Sequence, residues 1–257
     1  MKNYFDLKGQ VAIVTGCSTG LGVQMAKALA NQGCKIVAVA RRQEMIDQVA
    51  SDIAKEYGVE TMAVRCDITD TDAVNSMVDQ VIEKFGRVDI LINNAGTGAV
   101  APAEDITDEQ FNNEMSIDLF GSFRVARAVA KKHMIDANYG RIINIASMYG
   151  LVGNKICGSA PYHAAKGGVV NMTRALAAEW GKYGITVNSI CPGYFYTDLT
   201  TATLDSDYFQ AIAKQSIPMA RYGKSGELDT CALFLASPAS TYVNGQNIAV
   251  DGGYTCI

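Results

Sequence analysis

Short runs of aliphatic and β-branched residues alternate with longer amphipathic stretches along the whole chain. The runs that predict strands are Val11–Thr15, Lys35–Ala40, Thr61–Arg65, Ile90–Asn93, Arg141–Ala146, Thr186–Ile190 and Asn247–Val250. The stretches that predict helices are Gly20–Asn31, Gln43–Tyr57, Thr71–Phe85, Asp108–Lys132, Tyr162–Lys182 and Gly226–Leu235. Strands separated by helices pair in parallel through right-handed crossovers, because a tight turn cannot reach a parallel neighbour. The sequence therefore predicts a doubly wound α/β sheet, whose ligands bind beyond the carboxyl ends of the strands.

Nothing in the sequence divides this pattern into separate domains. The chain has no linker, repeat or low-complexity tract, and its 257 residues suit one large α/β domain. We therefore predict a single domain over residues 1–257. The least regular stretch is 194–219, which follows the sixth predicted strand, and we expect it to cover the substrate.

Composition limits the partners that this chain can have. Apolar residues make up 49% of the chain and charged residues 19%, as in a soluble globular protein. The formal net charge of −4 gives no electrostatic reason to expect nucleic acid or an anionic membrane as a partner. No uncharged apolar run approaches the ~18 residues of a membrane-spanning helix. The N-terminus also lacks the apolar core of a signal peptide.

Cysteine and histidine usage favours a cytoplasmic protein that holds no metal. The seven cysteines form no CxxC pair, and most of them lie in apolar segments: Cys17, Cys34, Cys66, Cys157, Cys191, Cys231 and Cys256. We interpret them as reduced thiols, which indicate a cytoplasmic location. The two histidines, His133 and His163, do not combine with cysteine or carboxylates at metal-ligand spacing.

A glycine-rich loop joins the first predicted strand to the first predicted helix. Glycine lets the backbone turn tightly and approach a diphosphate, while the helix N-terminus presents free N–H groups and a partial positive charge. The alternative is a tight turn that binds nothing. We predict a dinucleotide cofactor here, bound by Gly16, Ser18, Thr19, Gly20, Leu21 and Gly22.

The residues after the second predicted strand bear on the choice of cofactor. An NAD site usually carries an acidic residue there, which accepts hydrogen bonds from the adenosine ribose. Here Arg41 and Arg42 stand at that point, and guanidinium groups match a phosphate in shape and charge. We predict NADP(H), with NAD(H) as the alternative if the arginines only reach solvent or stack on adenine.

Two further strand ends complete the predicted cofactor site. Cys66, Asp67 and Ile68 end the third strand. The Asp67 carboxylate either accepts a hydrogen bond from the adenine amino group or caps the next helix. Asn94, Ala95 and Gly96 follow the fourth strand, where small residues let the nicotinamide half approach the backbone.

Tyr162 and Lys166 are the predicted centre of the reaction. Their four-residue spacing places both side chains on one face of a helix, and a neighbouring cation favours phenolate over phenol. Tyr162 is therefore the candidate proton donor and acceptor, unless the pair is only an ordinary amphipathic helix face. Ser147 follows the fifth strand. Its hydroxyl would bind the substrate oxygen together with Tyr162, because negative charge develops on a carbonyl oxygen as hydride arrives. We set a Ser-His-Asp hydrolase aside because neither histidine belongs to a nucleophile-elbow pattern.

Taken together, these motifs resemble the short-chain dehydrogenase/reductase family over essentially the whole chain. The matching segments are TGCSTGLG (15–22), CDI (66–68), NNAG (93–96), the strand-end Ser147, YHAAK (162–166), CPG (191–193) with Thr197, and NGQNIAVDGG (244–253). The resemblance implies a seven-stranded Rossmann-type fold, and hydride transfer between a nicotinamide and a carbinol or carbonyl carbon. It also implies a homotetramer, assembled through the helices at 108–132 and 162–182 and through the C-terminal strand region.

The same resemblance implies roles for individual residues. Ser147 would position the substrate oxygen, Tyr162 would act as acid and base, and Lys166 would assist Tyr162 and hold the nicotinamide ribose. Thr197 and the segment before it, which includes Pro192 and Gly193, would contact the nicotinamide.

Asp118 departs from the family pattern, because an asparagine usually occupies this fourth catalytic position. The role attributed to that asparagine is to hold a relay water near the lysine, partly through its backbone carbonyl, which aspartate retains. We expect the carboxylate to stabilise the Lys166 ammonium and to alter the pH dependence of the reaction. Some gluconate 5-dehydrogenase-like members of the family also carry aspartate here, which favours a sugar acid or polyol as substrate.

The family leaves the substrate open, because variable loops form the pocket. The candidate lining is Gly98–Ala101, Met148, Tyr149, Leu151, Lys155, Ile156 and Tyr194–Leu199. Lys155 would meet a substrate carboxylate, unless it is a solvated loop lysine. We rank a sugar-acid or polyol dehydrogenase first, a hydroxysteroid (bile acid) dehydrogenase second and a 3-oxoacyl thioester reductase third. A catalytically inactive nucleotide sensor is the alternative from a different class, and Asp118 is the only feature in its favour.

Overall fold

Seven parallel strands form one sheet in the computed structural model, which describes residues 3–98, 100–156, 158–197 and 200–257. Of the residues predicted to line the pocket, Ala99, Asp198 and Leu199 lie outside the described residues, as does Cys157. The strands follow one another across the sheet in the order β3-β2-β1-β4-β5-β6-β7. Their bounds are β1 Val11–Thr15, β2 Lys35–Ala40, β3 Thr61–Arg65, β4 Ile90–Asn93, β5 Gly140–Ile145, β6 Ile185–Pro192 and β7 Asn247–Val250. The predicted Rossmann-type sheet is confirmed.

Helices cover both faces of the sheet. Their bounds are α1 Gly20–Asn31, α2 Gln43–Tyr57, α3 Thr71–Phe85, α4 Asp108–Glu114, α5 Ser122–Val129, α6 Ile135–Ala137, α7 Ala160–Trp180, α8 Thr201–Leu204, α9 Asp207–Ser216 and α10 Asp229–Ala236. Among the described residues, none of these helices is long and apolar enough to cross a bilayer. The cytoplasmic location stays a prediction.

Alternate residues of each central strand face opposite sides of the sheet, so the protein has a core on either face. On β1, Ala12 and Val14 pack in a cluster with Leu29 of α1. Val11 and Ile13 pack in the other cluster, which includes residues of α3, α5 and α7. Crossover helices cover both faces of a parallel sheet, so its strands are continuous apolar runs. Such runs are easy to recognise, and for this reason the strand positions could be predicted from the sequence.

The predicted helix over 108–132 is one continuous helical stretch that extends to Ala137. Two π-helical stretches, Met115–Gly121 and Ala130–Met134, interrupt the α-helical geometry. Asp118 lies in the first of them and is buried. This local widening of the helix therefore occurs at a residue that was predicted to be catalytic. π-Helical turns are frequent at functional sites, so the position agrees with that prediction.

The segment 194–219 contains two helices, α8 and α9, that the sequence analysis did not predict. They have four and ten residues, so neither provides a long periodic pattern. Apolar residues of this region pack with Tyr222 in a small cluster of their own, separate from the two cores of the sheet. Part of the segment therefore has a small core of its own, while Phe195 packs in a core of the sheet.

Candidate active site

A cleft of about 540 Å³ opens at the carboxyl ends of the strands. The strand order reverses direction between β1 and β4, which is where a doubly wound sheet binds its ligand. Thr197 and the predicted cofactor residues from the ends of β1, β2, β3 and β4 line this cleft, except for Gly22; Pro192 and Gly193 do not line it either. The lining residues that the sequence analysis missed are Val39, Ala40, Thr69, Thr97, Asn113 and Ile117.

The glycine loop fits a diphosphate because larger residues have no room in it. A Cβ atom on Gly22 would lie 2.5 Å from the carbonyl oxygen of Gly16, and Gly16 itself has a left-handed φ of +63°. Thr19 occupies the N-cap position of α1, but its side chain makes no capping hydrogen bond. The first N–H groups of α1 thus have no side-chain cap, and Gly20 and Leu21, which carry the first two, line the cleft.

Asn94 holds the glycine loop against the end of β4. Its side-chain Nδ2 donates to the carbonyl oxygens of Thr15 and Gly16, at 3.1 Å each. The backbone N–H groups of Asn94 and Ala95 donate in turn to Thr15 Oγ1, at 3.0 and 3.1 Å. Asn94 was predicted as a cofactor-binding residue, and its side-chain contacts show that it also fixes the shape of the loop.

The arginines after β2 are exposed at the rim of the cleft, and one of them is already oriented. Arg42 Nη2 donates a hydrogen bond of 2.8 Å to Ser18 Oγ in the glycine loop. This contact brings a guanidinium and a hydroxyl together at the carboxyl end of β2. A cation and a hydroxyl donor at that point fit the 2′-phosphate of an adenosine ribose.

The structure excludes one of the two alternatives for Asp67, the N-cap of α3, because that N-cap is Asp70; the hydrogen bond to adenine stays a prediction. Asp67 instead lines the cleft, where its Oδ1 accepts hydrogen bonds from Thr69 N and Thr69 Oγ1 at 2.9 and 2.8 Å. The backbone N–H of Thr69 is the main cause that lowers the pKa of Asp67, and Arg41 and Arg124 lower it further against the effect of burial. The carboxylate is therefore ionised and able to accept a hydrogen bond. The neighbouring thiol stays neutral, since burial raises the pKa of Cys66 to about 11.

Ser147 lies directly after the buried strand β5 and begins a short helical turn, Met148–Gly150. Its Oγ accepts a hydrogen bond of 3.1 Å from Tyr149 N, and the residue is 6% exposed. The turn packs tightly on α7, since a Cβ atom on Gly150 would lie 2.7 Å from the carbonyl oxygen of Lys166. This contact places the serine turn beside the first turns of α7.

Tyr162 and Lys166 lie one turn apart near the start of α7. Pro161 stands in the first turn of the helix, where its missing N–H costs nothing. The Lys166 Nζ atom lies 5.5 Å from the centroid of the Tyr162 ring. Tyr162 is half-buried, whereas Lys166 is 4% exposed. The predicted pairing of phenol and ammonium on one helix face is therefore present in the structure.

Lys166 is held by two oxygen atoms beneath the cleft. Its Nζ donates to the carbonyl oxygen of Ile145 at 3.1 Å and lies 3.3 Å from Asp118 Oδ1. Burial lowers the pKa of Lys166, but the Asp118 carboxylate and Tyr162 outweigh it, so that the pKa is raised overall. The expectation that Asp118 stabilises the ammonium agrees with this geometry.

Asp118 makes two further contacts that its sequence motif did not indicate. Its Oδ1 accepts a hydrogen bond of 3.1 Å from the backbone N–H of Thr97, on the loop after β4. Its backbone carbonyl accepts a hydrogen bond of 3.1 Å from Ser122 Oγ. Asp118 thus joins the π-helical stretch to the loop after β4 and to Lys166.

A chain of buried polar side chains beneath the site was also missed. Asn93 and Asn144 are register partners on β4 and β5, and Asn93 Nδ2 donates to Asn144 Oδ1 at 3.0 Å. Asn144 Nδ2 then donates to Thr173 Oγ1 of α7, again at 3.0 Å. An asparagine within each of two apolar strands was the signal in the sequence. These hydrogen bonds fix α7 against the sheet, and Asn93 Oδ1 is left buried without a hydrogen-bond partner among the described residues.

The residues proposed for the substrate side fall into two groups. Tyr149 and Tyr194 come together, with 2.5 Å between their hydroxyl oxygens. Lys155 is exposed in the loop before α7. The two tyrosines therefore belong to the wall beside Ser147, while the position of Lys155 agrees with the alternative of a solvated lysine.

Comparison with known proteins extends over almost the whole chain. Residues 16–255 match a family model described as enoyl-(acyl carrier protein) reductase. The chain is 39% identical over 251 residues to gluconate 5-dehydrogenase of Gluconobacter oxydans (strain 621H), which covers 98% of this chain and 96% of that protein. It is 37% identical over 251 residues to D-threitol dehydrogenase of Mycolicibacterium smegmatis, with coverage of 98% and 95%.

A solved structure of a related enzyme has nearly the same fold as this protein. A gluconate 5-dehydrogenase from Burkholderia cenocepacia J2315, crystallised in complex with NADP and tartrate, has a TM-score of 0.93 to this protein at 37% identity. The comparison covers 99% of this chain and 98% of that one. The chain therefore belongs to the short-chain dehydrogenase/reductase family of oxidoreductases.

Proposed function

We propose that this protein is an NADP(H)-dependent oxidoreductase that interconverts a secondary alcohol and a ketone on a polyol or sugar acid. The observation that carries the proposal is the arrangement of Tyr162 over a buried Lys166 at the start of α7. That helix begins beside the Ser147 turn. Lys166 also reaches the edge of the cofactor cleft, since a Cβ atom on Gly96 would lie 3.3 Å from its Nζ.

The cofactor assignment rests on the residues that surround the cleft. The start of α1 would bind the diphosphate, Arg42 and Ser18 the 2′-phosphate, and Asp67 the adenine amino group. NADP is bound in the Burkholderia relative, which supports the same choice here. When bound, a nicotinamide supplies the hydride donor or acceptor of the reaction.

The protein's own residues would then bind the substrate oxygen and transfer its proton. Ser147 would hold the oxygen by a hydrogen bond, and Tyr162 would donate a proton to it in ketone reduction or accept one in alcohol oxidation. Lys166 keeps a positive charge beside the phenol, because Asp118 favours its protonated form. That charge stabilises the phenolate formed whenever Tyr162 has given up its proton.

The substrate class follows from the relatives and from the polarity of the pocket wall. Two relatives at 37 to 39% identity act, by their names, on gluconate and on threitol. The paired hydroxyls of Tyr149 and Tyr194 add polar atoms to an otherwise aromatic wall, which suits a substrate with several hydroxyl groups. A polyol or sugar acid is therefore preferred over a hydroxysteroid or an acyl thioester.

We also propose that the protein assembles as a homotetramer through the helical stretch 108–137 and α7. Phe111 and Phe120 support this, because they are 37% and 49% exposed on the former. Large exposed aromatic side chains on one helical stretch are typical of a surface that another protein chain covers.

The test of the proposed function is the replacement of Tyr162 by phenylalanine. NADPH consumption is measured with ketoses, keto-acids, oxo-steroids and 3-oxoacyl thioesters, and NADP⁺ reduction with polyols and sugar acids. We expect turnover with a polyol or sugar-acid pair, and a loss of about 10²- to 10⁴-fold in kcat for Tyr162→Phe, because general acid–base catalysis contributes that much.

Two measurements make this result specific. The dissociation constant of NADPH should change less than about twofold in Tyr162→Phe, and Tyr242→Phe, at a fully exposed tyrosine, should behave as the unaltered protein. Unchanged turnover in Tyr162→Phe would contradict the proposed role of the phenol. Tight NADPH binding without turnover of any substrate would identify a nucleotide sensor instead.

A further inference from the structure

An aromatic cluster connects the Ser147 turn to the segment 194–219. Tyr149, two residues after Ser147, is 8% exposed and meets the ring of Tyr194 edge-on, with 6.1 Å between the ring centroids. The hydroxyl oxygens of the two tyrosines lie 2.5 Å apart. A hydrogen bond therefore joins the reacting end of β5 to the first residue of this segment.

Tyr194 in turn belongs to the local core of that segment. Its ring packs edge-on against Phe209 of α9 at 6.1 Å and against Tyr222 at 5.5 Å. The buried residues of this small core form a cluster separate from the two cores of the sheet. The contact between Tyr149 and Tyr194 therefore helps to set the position of this local core relative to the Ser147 turn.

His163 supports Tyr149 from the other side. Its imidazole stacks on the Tyr149 ring, with 4.6 Å between centroids and 22° between the planes. His163 Nδ1 lies 2.8 Å from the carbonyl oxygen of Ser159, and a carbonyl only accepts, so Nδ1 carries the proton. The Nε2 atom is buried and has no hydrogen-bond partner among the described residues. His163 therefore acts on its surroundings mainly through the face of its ring.

We propose that His163, Tyr149 and Tyr194 form a latch that holds residues 194–197 and 200–219, the described parts of this segment, over the substrate. In this latch the hydrogen bond between the Tyr149 and Tyr194 hydroxyl groups joins the two segments, and His163 is a positioning residue that keeps the Tyr149 ring in place. The proposal rests on the proposed function, because it assigns the space between the Ser147 turn and this segment to the substrate. It requires that the latch affects substrate binding more than the chemical step.

Phenylalanine replacements of the two tyrosines test the hydrogen bond between their hydroxyl groups. Tyr149→Phe and Tyr194→Phe keep the rings and remove one hydroxyl each, so either change should raise KM for the polyol about three- to tenfold. We expect kcat to stay within about twofold, since the reacting groups are untouched. The double variant should be no worse than a single one, because both changes break the same bond. Multiplying effects on KM would show that the hydroxyls act separately and would overturn the latch.

Two replacements of His163 test the positioning role. His163→Phe keeps a flat ring against Tyr149 and should leave KM near the native value. His163→Ala removes the stacking surface and should raise KM as much as Tyr149→Phe does. His133→Ala, at the other histidine of the chain, is the matched control. Equal effects of His163→Phe and His163→Ala on KM would refute a role that depends on ring stacking.

A measurement that needs no turnover separates this proposal from the proposed function. Amide hydrogen exchange over α9 is compared in the NADPH-saturated native protein and in Tyr149→Phe. We expect exchange to be about three- to tenfold faster in the variant, since one hydrogen bond holds the segment less firmly. Faster exchange in a protein that turns over no polyol or sugar acid would keep the latch and refute the proposed function. Unchanged exchange in an active enzyme would refute the latch alone.

Discussion

Replacing Asp118 by asparagine removes one charge from the buried pair with Lys166 and keeps the shape of the side chain. The two side chains are almost completely buried, and 3.3 Å separates Lys166 Nζ from Asp118 Oδ1. Opposite unit charges at that separation attract by about 5 kcal/mol at an effective dielectric constant of about 20. The attraction is large because solvent does not reach the pair.

The variant should be less stable than the native protein. Removing one partner of a buried pair leaves an uncompensated charge and lowers the free energy of unfolding by about 3 to 5 kcal/mol. Asparagine keeps an oxygen that accepts from Thr97 N, so we expect the lower end, about 3 kcal/mol. For a chain of this length, that corresponds to a decrease in Tm of roughly 6 to 12 °C.

The pH dependence changes in a direction that follows from the pair. Burial lowers the pKa of Lys166, but Asp118 and Tyr162 outweigh it, so the folded-state pKa is above the ordinary value. The pair therefore stabilises the fold fully below the unfolded-state pKa of about 10.4, and this stabilisation is lost as pH rises through the folded-state pKa. Without Asp118, Lys166 loses its proton at lower pH. The alkaline limb of kcat/KM should then move to lower pH in Asp118→Asn, while most activity at neutral pH is retained.

The assay is kcat/KM for ketone reduction between about pH 6 and about pH 11.5, a range that extends above the ordinary lysine pKa of about 10.4, with thermal unfolding measured on the same samples. Asp136→Asn is the matched control, because Asp136 is exposed and lies on the same continuous helical stretch. An alkaline limb that stays in place would refute the reasoning about the ammonium. Loss of activity at every pH, in a folded variant that still binds NADPH, would show that the carboxylate itself takes part in the reaction.

Two replacements in the cofactor cleft give further predictions. Arg42→Ala should raise KM for NADPH about tenfold to a hundredfold and leave KM for NADH unchanged, because hydrogen bonds to a phosphate are charge-assisted and NADH lacks that phosphate. Steady-state kinetics with both cofactors measures the two KM values, and Arg127→Ala is the control. An equal rise in KM for both cofactors would contradict the prediction. Gly22→Ala should weaken NADPH binding at least about tenfold, since the new Cβ atom would lie 2.5 Å from the carbonyl oxygen of Gly16 and displace the loop. Fluorescence titration measures that loss; Gly153→Ala, which meets no atom within 4 Å, is the control, and native affinity in Gly22→Ala would disprove the steric argument.

Two features could not be predicted from the sequence, each for its own physical reason. Helices α8 and α9 were missed because their apolar side chains pack within a small local cluster rather than along one long helix face. The role of Asp67 stayed open because a carboxylate near a helix start has two good uses. Only the hydrogen bonds from Asp72 N and Ala73 N to Asp70 show which aspartate caps α3.

Features governed by local periodicity were determined by the sequence. Buried parallel strands are continuous apolar runs, so β1 to β4 and β7 lie where they were predicted. The glycine loop follows from backbone sterics within one turn, and the shared face of Tyr162 and Lys166 follows from a spacing of four residues.

Tertiary structure decided the contacts between segments that are distant in the chain. The partner of Lys166 on the π-helical stretch, the hydrogen bond between Asn93 and Asn144, and the Tyr149–Tyr194 hydroxyl pair all arise in this way. Each joins residues that no sequence period relates, and each depends on distances of a few ångströms that only the packing of the sheet and its helices sets. The order and periodicity of the residues determine the elements and the chemistry that they carry, while their packing determines which charges and hydroxyls meet.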